Sequence, residues 1–326
     1  MIKRIFRFFR RLPPTRALSK FSKQLKPWGF EGLTLYEVAI FFGRGINRGG
    51  LKTRASSMAY NFFVALFPSI IFLFTLIPFI PIHGFQEMLF KTIKDVMPAT
   101  AFSAVQDTIA EILTRQHSKL LSIGFITALY FSTQGFTAMM AAFNKSIHVK
   151  EQRKGWKQQL IAVWLVIILT ITILVAMTIL IGVQYLVDRV FHRDTTQTIL
   201  LIVGQWVIIG LIFLFIIAVF YRLGPSQRMH KHFISPGVIF ATCLIILTSL
   251  LFAWYINNFG KYNKLYGSIG SIIVMLVWIY YNSMMLIVGF ELDAGIEGGK
   301  QNKLSLLEQE DLEIKKEEED NDEEDQ

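Results

Sequence analysis

The sequence predicts an all-α integral membrane protein, a six-transmembrane-helix bundle with N-terminal interfacial helices and a disordered acidic C-terminal tail. Three observations carry that expectation. Six uncharged, mostly apolar stretches lie at 56–80, 120–143, 159–187, 198–221, 233–256 and 267–290, each exceeding the roughly 20 residues that cross a hydrocarbon core of about 30 Å as a helix. Of the 326 residues, 53% are hydrophobic and only 17% charged, whereas soluble domains carry about a quarter. Lysine and arginine also alternate between loops. With the N-terminus inside, the inner segments (the N-terminus, 144–158 and 222–232) hold 21 of them and the outer ones (81–119, 188–197 and 257–266) hold 8, the bias that keeps loops in the cytoplasm. Six spans return the C-terminus to the same side, placing Glu291 and Asp293 at the inner face.

Residues 1–54 form a basic segment. "IKRIFRFFRRL" sets Ile2, Ile5, Phe6, Phe9 and Leu12 on one helical face among arginines, the pattern of a helix lying on a membrane surface. Its charges and the lack of an apolar stretch ending in a small-residue cleavage site argue against a cleaved signal. "GLTLYEVAIFFGRGIN" opens with Thr34 and Glu37 at capping-box spacing, which predicts a second interfacial helix leading into the first span at Arg54.

The membrane domain covers 55–296. Its 39-residue outer loop, 81–119, is too long to lack structure. Phe85, Met88, Leu89, Ile93 and Val96, then Phe102, Val105, Ile109 and Ile112 or Leu113, predict two short amphipathic helices hinged at Pro98. In the second span Gly124, Ala128, Ser132, Gly135, Ala138 and Ala142 recur at three- or four-residue steps, a smooth ridge that lets another helix approach closely. Gly267 and Ser271 do the same at the start of the sixth.

No Asp, Glu, Lys, Arg or His occurs within the six spans, so carboxylate-driven coupling at the midplane is not expected. The polar side chains at depth are neutral. Asn61, Gln134, Gln205 and Asn282 are candidates for a hydrogen-bonding path, against the alternative that they only join helices.

Charge divides the chain: residues 1–290 balance to +20, residues 291–326 to −11. The basic part lies beside apolar spans, where retention inside and attraction to anionic lipid account for it better than nucleic acid does. Residues 297–326, ending "EQEDLEIKKEEEDNDEEDQ", carry almost no apolar content and read as a solvated, disordered tail. Membrane lipids, including anionic lipid at the cytoplasmic face, are the expected partners; self-association is left open.

Enzymatic signatures are missing. The chain has no phosphate-cradling G-x-x-x-x-G-K-[ST], no H-E-x-x-H and no G-x-S-x-G. Cys243 is the single cysteine. His230 and His232 form an H-x-H pair, but a metallo-hydrolase H-x-H-x-D-H needs Asp and His where Ile234 and Ser235 stand. No metal, no cofactor and no catalytic residue is expected.

Four blocks carry a resemblance: "RASSMAYNFFVALFPSIIFLF" (54–74), "FNKSIHVKEQRKGWKQQL" (143–160), "YRLGPSQRMHKHFISPG" (221–237) and "YNKLYGSIGSIIVMLVWIYYNSMMLIVGFELDAGI" (262–296). In order and spacing they resemble the YihY/BrkB family of six-span bacterial inner-membrane proteins, formerly labelled ribonuclease BN, over about 30–300. The family's motif residues then fall on Arg54, Tyr60, Pro68, Asn144, Arg153, Tyr221, Arg222, Tyr262, Tyr266, Gly267 and Glu291. Where the family has "GAELNA" this chain has "GFELDAG", so Asp293 stands in place of an amide and a paired acid is not required. The resemblance implies a bacterial inner membrane and transport or export of a lipid-like or small amphipathic molecule. A membrane scaffold acting through its charged termini is the alternative, and a ribonuclease ranks last.

Glu291 is expected at the cytoplasmic end of the sixth helix, either latched to Arg153 or Arg222 or simply solvated. Tyr262 and Tyr266 are expected at the outer interface as gate or anchors.

Overall fold

The computed structural model describes residues 25, 27, 29–76, 118–146, 149, 153–190, 195–227, 232–259 and 262–324. Among these there are seven helices and no strand: α1 (Leu35–Arg48), α2 (Leu51–Leu76), α3 (Ser118–Asn144), α4 (Gly155–Val190), α5 (Thr195–Leu223), α6 (Pro236–Phe259) and α7 (Tyr262–Glu324). The expected helix at 1–12, the two in the 81–119 loop, and His230 lie outside the described residues.

Each of the six apolar stretches overlaps one long helix, α2 to α7, although 77–80 lie outside the described residues and 233–235 precede α6. Four stretches are long and apolar enough to cross a membrane among the described residues: Gly155–Ile173, Val203–Leu223, Pro236–Ile256 and Ile272–Gln309. α1 starts as its spacing predicts. Thr34 N–H donates to Glu37 Oε2 at 2.8 Å and Glu37 N–H to Thr34 Oγ1 at 3.3 Å, the reciprocal cap.

Neighbour contacts run α2–α3–α4–α5–α6–α7 and close with α7 on α2, a ring in chain order. The α2–α3 contact uses the small-residue ridge: Phe62 lies against Gly135, and the Ser69 and Ser132 hydroxyls meet at 3.4 Å. Because the helices alternate in direction, the starts of α2, α4 and α6 meet the ends of α3 and α5 at one end of the ring. α1 docks there on α7. We call this the α1 end and the opposite one the far end.

Among the described residues the core is concentrated at the α1 end. Met58, Met139, Met140, Phe143, Leu165, Ile217, Tyr221, Val238, Ala241, Leu286, Ile287 and Phe290 are buried in one cluster. Toward the far end Trp206, Val207, Leu211, Leu250, Trp254, Ile273 and Met275 are exposed.

α7 departs from expectation twice. It does not stop near Phe290 but continues through Glu291 to Glu324, so Glu291 is mid-helix. The segment 297–326, expected to be disordered, is helical to Glu324. Leu, Glu, Lys and Gln are strong helix formers, and Asp311 stands four residues before Lys315, the supportive order. Local propensity outweighs the lack of apolar content there.

Candidate functional site

Arg54 lies one turn into α2, on the face that carries Met58 into the core, and is 4% exposed. Its Nη2 donates to Glu291 Oε1 at 2.5 Å, and its Nη1 donates to the Ala142 carbonyl near the end of α3 at 2.9 Å. Glu291 is 0% exposed, and its Oε2 accepts from Ser146 Oγ at 2.9 Å. α2 and the end of α3 are thus tied to α7 through one carboxylate. α1 covers it: Gly45 comes so close that a Cβ there would collide with Glu291 Oε2. Arg54 Nε remains, buried and without a hydrogen-bond partner.

This corrects the expected latch. Glu291 pairs with neither Arg153 nor Arg222. Arg153 precedes α4, where its Nη1 donates to the Leu223 carbonyl at 2.8 Å and its N–H to Ser226 Oγ at 3.2 Å; a cation suits the negative end of α5. Partial burial lowers its pKa below the ordinary arginine value. Arg222 is exposed on α5. The solvated alternative for Glu291 fails too, because α7 continues past it and α1 lies over it.

Asp293, which stands where the family has an amide, is 2% exposed. It accepts from Gly237 N–H at 2.7 Å and from the Ser235 hydroxyl. A carboxylate from α7 therefore caps the start of α6, where free N–H groups and the helix dipole favour negative charge.

On the bundle side of the ion pair three rings from alternate helices close the axis. Phe143 of α3 stacks on Phe290 of α7 with centroids 4.4 Å apart, and Tyr221 of α5 meets each edge-on at 5.6 Å. The Tyr221 hydroxyl donates to the Leu286 carbonyl at 2.5 Å, so its polar tip is satisfied. Asn144 Oδ1 accepts from Ser226 N–H at 2.8 Å. Asn144 and Arg153 together fix the turn after α5.

The sequence-derived residues thus separate. Arg54, Asn144, Arg153, Tyr221 and Glu291 gather at the α1 end. Tyr60 is 65% exposed on α2, and Pro68 is half-buried within it. Tyr262, Tyr266 and Gly267 occupy the first turns of α7, and their side chains lie outside the described residues. At a 1.5 Å rise per residue, Tyr262 stands about 40 Å along the helix from Glu291.

No hydrogen bond among the described residues joins the candidate path into one. Asn61 Nδ2 donates to Ser57 O in its own helix, and Asn282 Nδ2 donates to Trp278 O, with Ser249 Oγ 3.4 Å from its Oδ1. Gln134 and Gln205 are half-buried on α3 and α5. The α3–α4 contact is instead bridged by Gln159, whose Nε2 donates to Thr133 Oγ1 at 3.0 Å.

Sequence reasoning missed Ser146, Phe143, Phe290 and Ser235. The usable signal was weak: Ser146 lies inside the second block, and Ser235 immediately precedes Pro236, an N-cap followed by a helix-opening proline. Among the described residues, no group of three or more His, Cys, Asp or Glu could hold a metal ion.

A family model described as virulence factor BrkB matches residues 42–312. The ribonuclease-like protein YfkH of Bacillus subtilis (strain 168) is 30% identical over 255 residues, 74% of this chain and 89% of that one. A UPF0761 membrane protein of Chromohalobacter salexigens is 27% identical over 248 residues, 75% of this chain and 59% of its own length. A UPF0761 membrane protein of Aliivibrio salmonicida is 24% identical over 260 residues, 79% and 82% of the two chains. No solved structure matches.

Proposed function

The chain belongs to the virulence factor BrkB family of membrane proteins, and from that premise we propose that it is a six-span transporter or exporter of a lipid-like or small amphipathic molecule. In this reading it lies in a bacterial inner membrane with both termini in the cytoplasm, in contact with anionic lipid, and the ring is closed at its cytoplasmic end. One observation carries the reading: the α1 end is sealed by the Arg54–Glu291 pair and three aromatic rings, while the same helices expose apolar side chains toward the far end. A ring closed at one end, with described apolar side chains exposed toward the other, suits a carrier of amphipathic molecules. Uniform packing would suit a scaffold.

Flux settles the matter. Purified protein in phospholipid vesicles should move a short-chain fluorescent phospholipid between leaflets faster than empty vesicles do, and Glu291→Gln should change that rate. Rates equal to protein-free vesicles for this and other amphipathic probes would reject transport. For orientation, in a Cys243→Ser background a cysteine at Ser226 should resist an impermeant outside reagent and one at Thr195 should react; the reverse would overturn it.

We further propose that the chain is not a ribonuclease. RNA hydrolysis that survives stringent purification and is lost in a His230→Ala, His232→Ala double variant would refute this.

A further inference from the structure

We infer that Arg54 is the recognition group for an anionic headgroup, a phosphate or carboxylate, and that Glu291 holds its place as an internal substitute until an anionic amphiphile displaces it. The inference rests on the transport reading and adds the charge of what is carried.

The buried charged side chains among the described residues are Arg54, Glu291 and Asp293. Asp293 is engaged at the start of α6, which leaves Arg54 as the fully buried cation of the sealed end among the described residues. A guanidinium offers its Nε and Nη2 hydrogens side by side, a fork that fits two oxygens of one anion. Here the fork is half used. Nη2 holds one oxygen of Glu291, Nε is buried without a partner, and the second oxygen of Glu291 is turned to Ser146 instead. A phosphate or carboxylate set against Arg54 would take both donors, so it makes a better occupant than the one in place.

The same burial selects for charge. A neutral molecule that parted Arg54 from Glu291 would leave an uncompensated buried cation, a strongly unfavourable state; an anion replaces the charge it displaces. The displaced Glu291 carboxylate turns out toward water, so that neither charge is left buried alone. The way in is under α1, where the bare backbone of Gly45 lies against Glu291 and exposed Arg44 and Lys52 stand beside it, cations that raise the local concentration of anions. The site stands at the end of the apolar helices, where a headgroup sits while its chain lies along the bundle.

The test uses full-length protein in dodecyl maltoside, with binding read from thermal stabilisation and tryptophan fluorescence. Dodecyl phosphate should bind and the neutral octyl glucoside should not. Glu291→Gln removes the competing charge and should bind dodecyl phosphate about tenfold more tightly, since a larger fraction of molecules presents a free Arg54. Arg54→Lys keeps the charge but loses the fork, and should bind about tenfold more weakly if bidentate contact supplies roughly 1.4 kcal/mol. If Glu291→Gln does not fold, Arg54→Lys decides alone.

Equal affinity in wild type and Arg54→Lys, or Glu291→Gln binding no more tightly than wild type, would overturn the inference. Inorganic phosphate that competes at equal concentration identifies the ligand as a free anion; failure to compete identifies a lipid headgroup, and either result supports the anion site. Anion-selective binding by a protein that moves no amphiphile would reject transport and keep the site. Flux indifferent to headgroup charge would do the opposite.

Discussion

Along α7, residues 286–296 are buried on every side except for half-buried Val288 and Leu292, whereas 272–278 are exposed on every side except for half-buried Val274. Both stretches are helical and mostly apolar. They differ in the size and polarity of what they carry. The buried stretch holds Gly289, Ala294 and Gly295, which let α6 and α1 approach closely, and Glu291 and Asp293, which bond Arg54, Ser146, Ser235 and Gly237. The exposed stretch is Ile272, Ile273, Val274, Met275, Leu276, Val277 and Trp278. Lipid tails solvate such side chains as well as another helix does, so apolarity alone does not join helices in a membrane; small residues and polar contacts do.

The comparison breaks most readily at Glu291. Glu291→Gln leaves Arg54 as an uncompensated buried charge, so the detergent-solubilised protein should lose about 3–5 kcal/mol of stability. Adding Arg54→Gln should recover part of that loss, because the stranded charge is then gone. Melting temperatures of the singles and the double measure this. Equal, small effects would mean the pair is not buried in the membrane-embedded protein.

Steric closeness comes next. A Cβ at Gly289 would run into Ala241, the Tyr221 hydroxyl and the Gly237 backbone, so Gly289→Ala should cost about 1–3 kcal/mol, the usual range for overpacking. Ile273→Ala, 16 residues earlier on the same helix, should cost under about 0.5 kcal/mol because lipid replaces what is removed. Comparable losses at the two positions would erase the distinction.

The capping carboxylate sharpens it further. Asp293→Asn keeps an acceptor for Gly237 N–H but removes the charge at the α6 N-terminus, an effect of about 0.5–2 kcal/mol in the melting temperature. A loss as large as that of Glu291→Gln would give the two carboxylates equal weight.

Much of this architecture was legible because apolar length marks spanning helices directly. The capping box at Thr34 and Glu37 was legible too, being local. Arg54 and Glu291 were singled out by their blocks, but not as partners: 236 positions separate them, and Arg153 and Arg222 lie at the same end with equal formal claim. Only packing shows that Arg54 faces α7 while Arg153 faces α5. The three-ring closure was illegible for a different reason: with 29 phenylalanines in the chain, nothing local marks Phe143 and Phe290. The capping role of Asp293 was illegible because its partners, Ser235 and Gly237, belong to another helix.

A third stretch of α7 completes the series and has the smallest expected effect. Residues 302–309 are exposed like 272–278, but they alternate leucines with polar and acidic side chains and lead into the acidic run, so water rather than lipid is their solvent. Leu304, Leu306 and Leu307 are each about half exposed or more and contribute little burial. Lys300 Nζ pairs with Glu31 Oε2 at 3.0 Å, which ties α7 to the approach to α1 just before this stretch. Deleting residues 304–326 should therefore leave insertion and melting temperature unchanged within about 0.5 kcal/mol. It should also leave lipid flux intact. Normal insertion with lost flux would transfer the functional weight to the charged terminus and favour a scaffold, while a lower melting temperature would show that burial along α7 extends beyond Gly299.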